Sequence, residues 1–213
     1  MNQPQAGFAN FVTLATAVTP LLAGGENEAQ AILVKARSTF TAAVDDVSAR
    51  KLGMADPAAA AKRFDVLQAL MRDSRADWTV CFRALSEIAC ANGKGATETL
   101  APAFYEPLDD TQQAQWAAFV DTWLQALREE SSDGSAAGAG ARMKRENPAV
   151  VPREHLLVEA YSRASAAGDY SKVRELYQVF KDPYADPAPG ADPKYYRRAP
   201  DKALTQGGTA FMS

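Results

Sequence analysis

The sequence predicts an all-α protein of moderate size. Several long segments place apolar residues every three or four positions, and no segment alternates apolar and polar residues for long enough to indicate a strand. Helix boundary signals separate these segments, such as Asp56 before Pro57, or Gly53 at the end of a long apolar stripe. The 213 residues, 47% of them hydrophobic and 23% charged, can bury one ordinary core or at most two small ones.

The first predicted helix lies within residues 6–25, "AGFANFVTLATAVTPLLAGG", which contain no charged residue. Its helically spaced apolar residues are Phe8, Phe11, Val12, Ala15, Val18 and Leu22. A secretory signal and a membrane span are alternatives, but the segment lacks a basic start and is interrupted by Asn10, three threonines and Pro20. We therefore expect a helix that packs on the protein core.

Four further helices are predicted before residue 130. They lie at about residues 28–52, from Asp56, at about residues 75–91, and from about Asp110, where negative charge favours a helix N-terminus. The residues expected to face the core on the second, third and fifth helices are Leu33, Ala36, Phe40, Val44, Val47, Phe64, Leu67, Leu70, Met71, Trp116, Phe119, Val120, Trp123 and Leu127. Residues 1–130 are accordingly predicted to form one helical bundle.

The remainder of the chain divides into three predicted parts. Residues 131–142 are mostly small and offer nothing to bury, which predicts a linker or loop. Residues 143–182 are predicted to pack on the bundle as an extended piece, where Asn147 and Val151 each precede a proline, followed by helices from Arg153 and Asp169. The apolar face of the last helix is Val173, Leu176, Tyr177 and Phe180. Residues 183–213 are predicted to be an irregular tail.

This helix pair also resembles one tetratricopeptide unit in its Gly168-Asp169 turn and its terminal proline. A single unit cannot bury its own face, and no second copy occurs at a period of about 34 residues. A repeat scaffold is therefore not favoured.

Net charge limits the predicted partners. The formal net charge of -3 gives no overall attraction to nucleic acid or to an anionic membrane. One basic patch stands out, formed by Lys194, Tyr195, Tyr196, Arg197 and Arg198. A nucleic-acid contact is one interpretation of this patch, and a solvated tail is the one we prefer. Neither nucleic acid nor a membrane is predicted as a partner.

Two cysteines and one histidine are too few for a zinc site, which needs about four nitrogen or sulfur ligands. Cys81 and Cys90 are nine residues apart, so on a helix they face opposite sides and are expected to be free thiols of an intracellular protein. Cys81 is in register with Leu85 and Ile88, which indicates a core position.

Known catalytic motifs are absent from the sequence. The "NGKGAT" segment at residues 92–97 contains Gly-Lys, but a P-loop requires a glycine where Ile88 stands and a Ser or Thr directly after the lysine. His155 precedes Glu159 by one turn, and a base held by a carboxylate is the alternative to the structural role that we expect. Asp45 and Asp46 indicate a solvated helix face. No catalytic, cofactor-binding or metal-binding residue is predicted.

Three segments carry a resemblance to a known family. They are "NQPQAGFANFVTLATAVTPLL" at residues 2–22, "RDSRADWTVCFRAL" at 72–85 and "MKRENPAVVPREHLLVEAYSRASAAGDYSKVRELYQVFKDPY" at 143–184. The last segment contains Asn-Pro, Arg-x-His, Glu-Ala, Gly-Asp and Pro-Tyr landmarks. In this order the segments are similar to the C-terminal end of selenoprotein O and its bacterial relatives, which are protein adenylyltransferases with a pseudokinase-like fold.

The resemblance implies that the chain is the helical part of the large lobe of a protein-kinase-like fold. In that family ATP is held in a flipped orientation, and AMP is transferred to hydroxyl side chains of proteins with the assistance of magnesium. The family's small-lobe lysine and glutamate, its glycine-rich segment and its metal-holding asparagine and aspartate map onto no residue of this sequence. ATP and magnesium are therefore implied for the intact family, and no cofactor is predicted for this chain alone.

The predicted function is that of a C-terminal fragment of a selenoprotein O-like adenylyltransferase, inactive alone. Its expected partners are the missing N-terminal catalytic portion and, in the intact family, protein substrates. The alternative is a stand-alone, non-catalytic helical scaffold. The family commonly ends with selenocysteine or cysteine, whereas "LTQGGTAFMS" has glycine at the expected place, so no redox role is carried over. The compartment is expected to be mitochondrial for a full-length eukaryotic protein and cytoplasmic otherwise.

Overall fold

The computed structural model describes residues 3–205, with side chains for residues 4–204, and these form α-helices and short 3-10 turns without a strand. The α-helices are α1 (Gln3–Val18), α2 (Gly25–Leu52), α3 (Pro57–Asp73), α4 (Trp78–Cys90), α5 (Ala96–Leu100), α6 (Asp110–Glu129), α7 (Ala137–Glu146), α8 (Glu154–Ala167), α9 (Ser171–Phe180) and α10 (Asp201–Thr205). The 3-10 turns are Thr19–Leu21, Ala101–Ala103 and Pro193–Tyr195. The predicted all-α class is confirmed. The glycine at the family's usual redox position lies outside the described residues.

Local capping chemistry sets several helix boundaries as predicted. The side chain of Asp56 accepts a hydrogen bond from the backbone N–H two residues later and begins α3. Gly53, with a φ of 71°, ends α2 in the left-handed conformation that glycine adopts without strain. The fourth helix starts later than the predicted residue 75, at Trp78, because Asp77 caps it.

The main core lies between the end of α2 and helices α3, α4, α6 and α7. Its largest buried side chains are Leu52, Leu67, Phe82, Leu85, Ile88, Trp116, Phe119, Val120, Trp123, Leu127 and Met143. The indole nitrogen of Trp123 donates a hydrogen bond to the carbonyl oxygen of Leu52 at 3.0 Å. This large side chain therefore buries its apolar surface without leaving a polar atom unpaired. The predicted burial of the apolar face of α6 is confirmed.

The prediction of a linker at residues 131–142 is wrong in its second half, because α7 begins at residue 137. Gly140 explains this. A Cβ atom at Gly140 would lie 2.7 Å from Sγ of Cys90 and 2.8 Å from the carbonyl oxygen of Ser86, so only glycine lets α7 approach α4 this closely. The small residues are thus what allows close packing of two helices. The division into domains at residues 130, 142 and 182 stays a prediction.

A second, smaller cluster joins α8, α9 and the segment that follows them. Its buried members are Val150, Leu156, Ala160, Leu176 and Tyr195. Gly168 ends α8 with a φ of 63°, as predicted. The predicted burial of Val173 and Tyr177 is wrong. Both are exposed, and Lys172 is buried in their place because its ammonium group has polar partners inside this cluster.

The predicted irregular tail is partly ordered. Tyr195 is buried within the second cluster, and the guanidinium carbon of Arg198 lies 5.1 Å from the ring centroid of Tyr105. The expectation of a solvated tail is therefore wrong for these two residues, which the hydrophobic cluster and a cation–π contact hold against the protein.

The α1–α2 hairpin, defined as residues 4–47, differs from the rest of the fold. Ala15 and Ala29 are its only buried side chains, whereas Leu14 is 58% and Leu21 84% exposed. The prediction that α1 packs on the core is therefore wrong. The main core is already closed by α3, α4, α6 and α7, and α1 packs against α2 through contacts such as Phe8 with Phe40. None of the described helices is long and apolar enough to cross a membrane.

Candidate functional site

Two of the three segments that carry the family resemblance meet at one place in the fold. Residues 72–85 lead into and form part of α4, and residues 143–184 include the end of α7, α8 and α9. Charged and amide side chains of these segments, together with Lys51, Glu87 and Asp186, lie between the end of α2, α4 and α7, and one further ion pair joins the start of α4 to the start of α8. We call this group the polar junction, and its members are Lys51, Asp77, Arg83, Glu87, Lys144, Asn147, Arg153 and Asp186.

Asn147 lies at the centre of the polar junction and is completely buried. Its amide nitrogen donates to the carbonyl oxygen of Lys51 at 2.9 Å and to the hydroxyl of Ser86 at 3.1 Å. Its amide oxygen accepts from the Lys51 ammonium group at 3.2 Å. Because Pro148 follows, the helix ends here and Asn147 is extended, as predicted. One side chain thereby joins the ends of α2 and α7 to the middle of α4.

Arg83 reaches from α4 to the chain on both sides of the helix pair, and its side chain is only 11% exposed. One terminal nitrogen donates to the carbonyl oxygens of Lys144, Asn147 and Tyr184 at 3.1–3.2 Å. The other terminal nitrogen donates to the carboxylate of Asp186. The planar guanidinium group suits this arrangement because its donors diverge in fixed directions.

Lys144 shares acidic partners with Arg83. Its ammonium nitrogen lies 2.9 Å from Glu87 and 3.2 Å from Asp186. Burial lowers the pKa of Lys144, but the hydrogen bonds with Glu87 and Asp186 outweigh it and raise the pKa above its ordinary value. Burial likewise raises the pKa of the Asp186 carboxyl, and the hydrogen bonds from Lys144 and Arg83 outweigh it and hold this pKa below the ordinary range. The Lys144 ammonium group and the Asp186 carboxylate are therefore both charged near neutral pH and form an ion pair.

The most buried ion pair of the polar junction joins Asp77 and Arg153. The two terminal nitrogens of Arg153 donate to the two carboxylate oxygens of Asp77 at 2.7 and 2.9 Å. The side chains are 13% and 6% exposed for Arg153 and Asp77 respectively. Asp77 also caps α4, so one carboxylate both starts the central helix and holds the start of α8.

A second polar cluster fixes the segment after α9. The ammonium nitrogen of Lys172 lies 3.0 Å from the Tyr195 hydroxyl, 3.2 Å from Glu175 and 3.4 Å from Glu159. The Tyr195 hydroxyl also donates to Glu175. This bond, followed by those from the lysines, lowers the pKa of the Glu175 carboxyl. The cluster explains how a lysine is accommodated on the buried face of α9.

The remaining candidates from the sequence have structural environments. Cys81 is fully buried and Cys90 partly buried, both are free thiols, and burial raises the pKa of each. Burial, followed by the charge of Arg153, lowers the pKa of His155. Glu159 pairs with Arg163 at 2.9 Å and with Lys172. The carboxylate that a catalytic histidine would require is thus engaged by two cations.

Sequence reasoning did not identify the polar junction. The Asn147-Pro148 step predicts extended backbone, but nothing local to it predicts burial. The partners Arg83 and Asp186 are about a hundred positions apart in the chain. A sequence signal did exist for five of its eight members, because Asp77, Arg83, Lys144, Asn147 and Arg153 lie in segments that carry the family resemblance. Between residues 3 and 205, no group of three or more His, Cys, Asp or Glu side chains is arranged to hold a metal ion.

Comparisons with known proteins define the class of this chain. The family model for protein adenylyltransferase SelO matches residues 1–181. That match includes the polar junction except Asp186, and it includes the α1–α2 hairpin. The chain belongs to the protein adenylyltransferase SelO family.

Individual relatives agree with this assignment. Each of the following is named a protein nucleotidyltransferase YdiU. The protein of Xanthomonas campestris pv. campestris strain B100 is 33% identical over 214 residues, covering 99% of this chain and 40% of the relative. The protein of Methylorubrum populi is 34% identical over 198 residues, covering 87% of this chain and 37% of the relative. That of Xanthomonas euvesicatoria pv. vesicatoria is 35% identical, with coverages of 99% and 40%. The chain thus spans about 40% of the length of these relatives.

Proposed function

We propose that this chain is the C-terminal, helical part of the large lobe of a kinase-like protein adenylyltransferase. It serves the transfer of AMP from ATP to hydroxyl side chains of proteins and requires the remaining portion of the family protein for this reaction. The observation that carries the proposal is the family match over residues 1–181 in a chain that spans about 40% of its relatives. The relatives' names support nucleotidyl transfer as the reaction class.

The cationic side chains of the polar junction do not fit a site for ATP and magnesium. A nucleotidyl transfer site needs cations and N–H donors that are free to neutralise charge on the phosphates. Arg83 and Lys144 bind Asp186, and Arg153 binds both oxygens of Asp77. Their positive charges are paired with carboxylates of the protein, so we assign the polar junction a structural role. It holds the α8–α9 pair on the main core, and no catalytic step is derived from it.

The alternative function, a stand-alone helical scaffold, is not favoured by relatives that are named as nucleotidyltransferases. Because these relatives come from bacteria, we propose the cytoplasm as the compartment.

Isothermal titration of ATP and magnesium into the purified chain tests the proposal. We expect no micromolar binding by the chain and micromolar binding by the full-length Xanthomonas campestris relative, which serves as the positive control. AMP incorporation into protein is then measured for the chain, for the portion of the relative outside the match, and for both together. We expect incorporation only with both. Micromolar binding of ATP to the chain alone would contradict the proposal.

A further inference from the structure

One side of α1 and of the turn after it carries an apolar stripe that the described structure leaves partly exposed. Phe11, Leu14, Val18 and Leu21 follow each other at spacings of three or four residues, which places them on one side of the helix and the turn after it. Phe11 is 37%, Leu14 58% and Leu21 84% exposed. We call these four residues the hairpin face.

The hairpin face has the composition of an interface core. Residues 6–25 contain no charged side chain, and charged residues are depleted at the centres of protein interfaces. The threonine hydroxyls of this segment also do not need water as a hydrogen-bond partner. Thr13, Thr16 and Thr19 each donate a hydrogen bond to the carbonyl oxygen four residues earlier, at 3.1, 2.9 and 2.9 Å. The surface can therefore be covered by a partner without leaving these hydroxyls unpaired.

The α1–α2 hairpin also borders a separate cleft at the start of α1. This cleft has a volume of about 430 Å³ and lies between the start of α1, the second half of α2, α3 and the beginning of α4. Its walls include Pro4, Phe40, Val44, Phe64 and Trp78. A cleft with aromatic walls is suited to receive an anchoring side chain of a partner.

We propose that the hairpin face is the docking surface for the portion of the family protein that this chain does not span. This inference rests on the proposed function and adds the place where the two portions meet. The hairpin lies inside the family match, so its uncovered face is built from family sequence. The match covers 40% of the Xanthomonas campestris relative, and the remaining 60% is the polypeptide available to cover it.

The packing of the hairpin also differs from that of the other outer helices. The start of α8 is bound to the main core through the Asp77–Arg153 ion pair, whereas α1 packs against α2. Exposed apolar residues also follow each other at helical spacing on α8, with Val158 and Tyr161, and at α9, with Tyr170, Val173 and Tyr177. Those rows include tyrosine hydroxyls, whereas the hairpin face consists of phenylalanine and aliphatic side chains alone. Val66 on α3 has no exposed apolar neighbour at helical spacing and is a scattered residue of the ordinary kind.

Co-purification tests the docking surface. The tagged chain is co-expressed with the portion of the Xanthomonas campestris relative outside the match, and the complex is measured by affinity capture and size-exclusion chromatography. Leu14→Asp and Leu21→Asp place a charge on the hairpin face, and each is expected to lower the captured amount at least tenfold. Val66→Asp, also an exposed apolar residue on a helix, is the matched control and is expected to leave capture unchanged. Circular dichroism verifies that all three variants keep their helix content.

Three results would overturn the inference. They are the absence of a complex with the unchanged chain, equal capture of the Leu14→Asp and Val66→Asp variants, and a concentration-dependent dimer of the chain that Leu14→Asp dissociates. The last result would assign the face to a second copy. Failure of the proposed function is distinguishable, because a complex that forms through the hairpin face but incorporates no AMP leaves the docking surface intact.

Discussion

The α1–α2 hairpin and the region around α4 are both rich in apolar residues, but only the region around α4 buries most of them. Around α4, apolar side chains from α2, α3, α6 and α7 close a core, and the polar junction seals one edge with paired charges. In the hairpin, Ala15 and Ala29 are buried while Leu14 and Leu21 remain exposed. The comparison shows that helical periodicity identifies which residues form an apolar face, but not whether that face is covered within the chain.

The two regions should therefore respond differently to the loss of an apolar side chain. Trp123→Ala removes a fully buried indole and its hydrogen bond to Leu52, and we expect a loss of about 3–5 kcal/mol in the free energy of unfolding. Leu14→Ala in the hairpin should cost less than about 1 kcal/mol because the side chain is mostly exposed. Urea denaturation followed by circular dichroism measures both, and equal losses would contradict the contrast.

Loss of a buried ion pair should likewise destabilise the protein more than loss of an exposed one. Arg153→Met leaves the buried carboxylate of Asp77 without its bidentate partner, which is expected to cost about 3 kcal/mol. Arg50→Met removes a surface arginine that pairs with Asp46 and Glu146, and we expect a loss below about 1 kcal/mol. The same denaturation experiment compares them. A small effect of Arg153→Met would mean that the polar junction does not hold the helix pair.

Two glycines of α7 differ in what surrounds them, although they belong to one helix. Gly140→Ala places a methyl group against Cys90 and the backbone of α4, so we expect a destabilisation of about 1–3 kcal/mol. Gly138→Ala meets only the end of the Arg142 side chain, at 3.9 Å, and should stabilise the helix by up to about 1 kcal/mol. Thermal unfolding of the two variants shows whether each substitution lowers or raises the melting temperature. A change in the same direction for both would show that α7 does not pack tightly on α4.

The smallest effect is expected at His155. Burial and the neighbouring Arg153 and Arg197 lower the pKa of this imidazole below its ordinary value of 6.5. Because the unfolded chain takes up a proton at higher pH than the folded chain, the contribution of His155 to stability is fully present above pH 6.5 and is lost as the pH falls from 6.5 through the lower pKa of the folded state. His155 is the single histidine, so its NMR titration is unambiguous. A midpoint at or above 6.5 would contradict the expectation, and His155→Gln should remove this part of the pH dependence.

The sequence predicted what local chemistry determines. Asp56 and Gly53 mark helix boundaries through hydrogen bonds and backbone conformations within a few residues of themselves, and the face of α6 follows from its own periodicity. The burial of Lys172 was not predictable in this way, because it depends on Tyr195, which is far along the chain.

Three other features depend on distant parts of the chain. From the local sequence, Gly140 is predicted to lie in a loop. Its role in packing depends on α4, which lies too close to it for any side chain. The exposure of Leu14 reflects the completion of the main core by other helices. The polar junction was missed for the same reason, since its members come together only after the helices have packed.

Hydrogen exchange followed by mass spectrometry tests the central contrast most directly. The chain is measured alone and in complex with the portion of the relative that it does not span. We predict strong protection of α4, α6 and α7 in both samples, and weak protection of α1 and the first half of α2 that rises on complex formation, because few buried apolar contacts hold the hairpin. Protection of α1 equal to that of α4 in the chain alone would contradict the account.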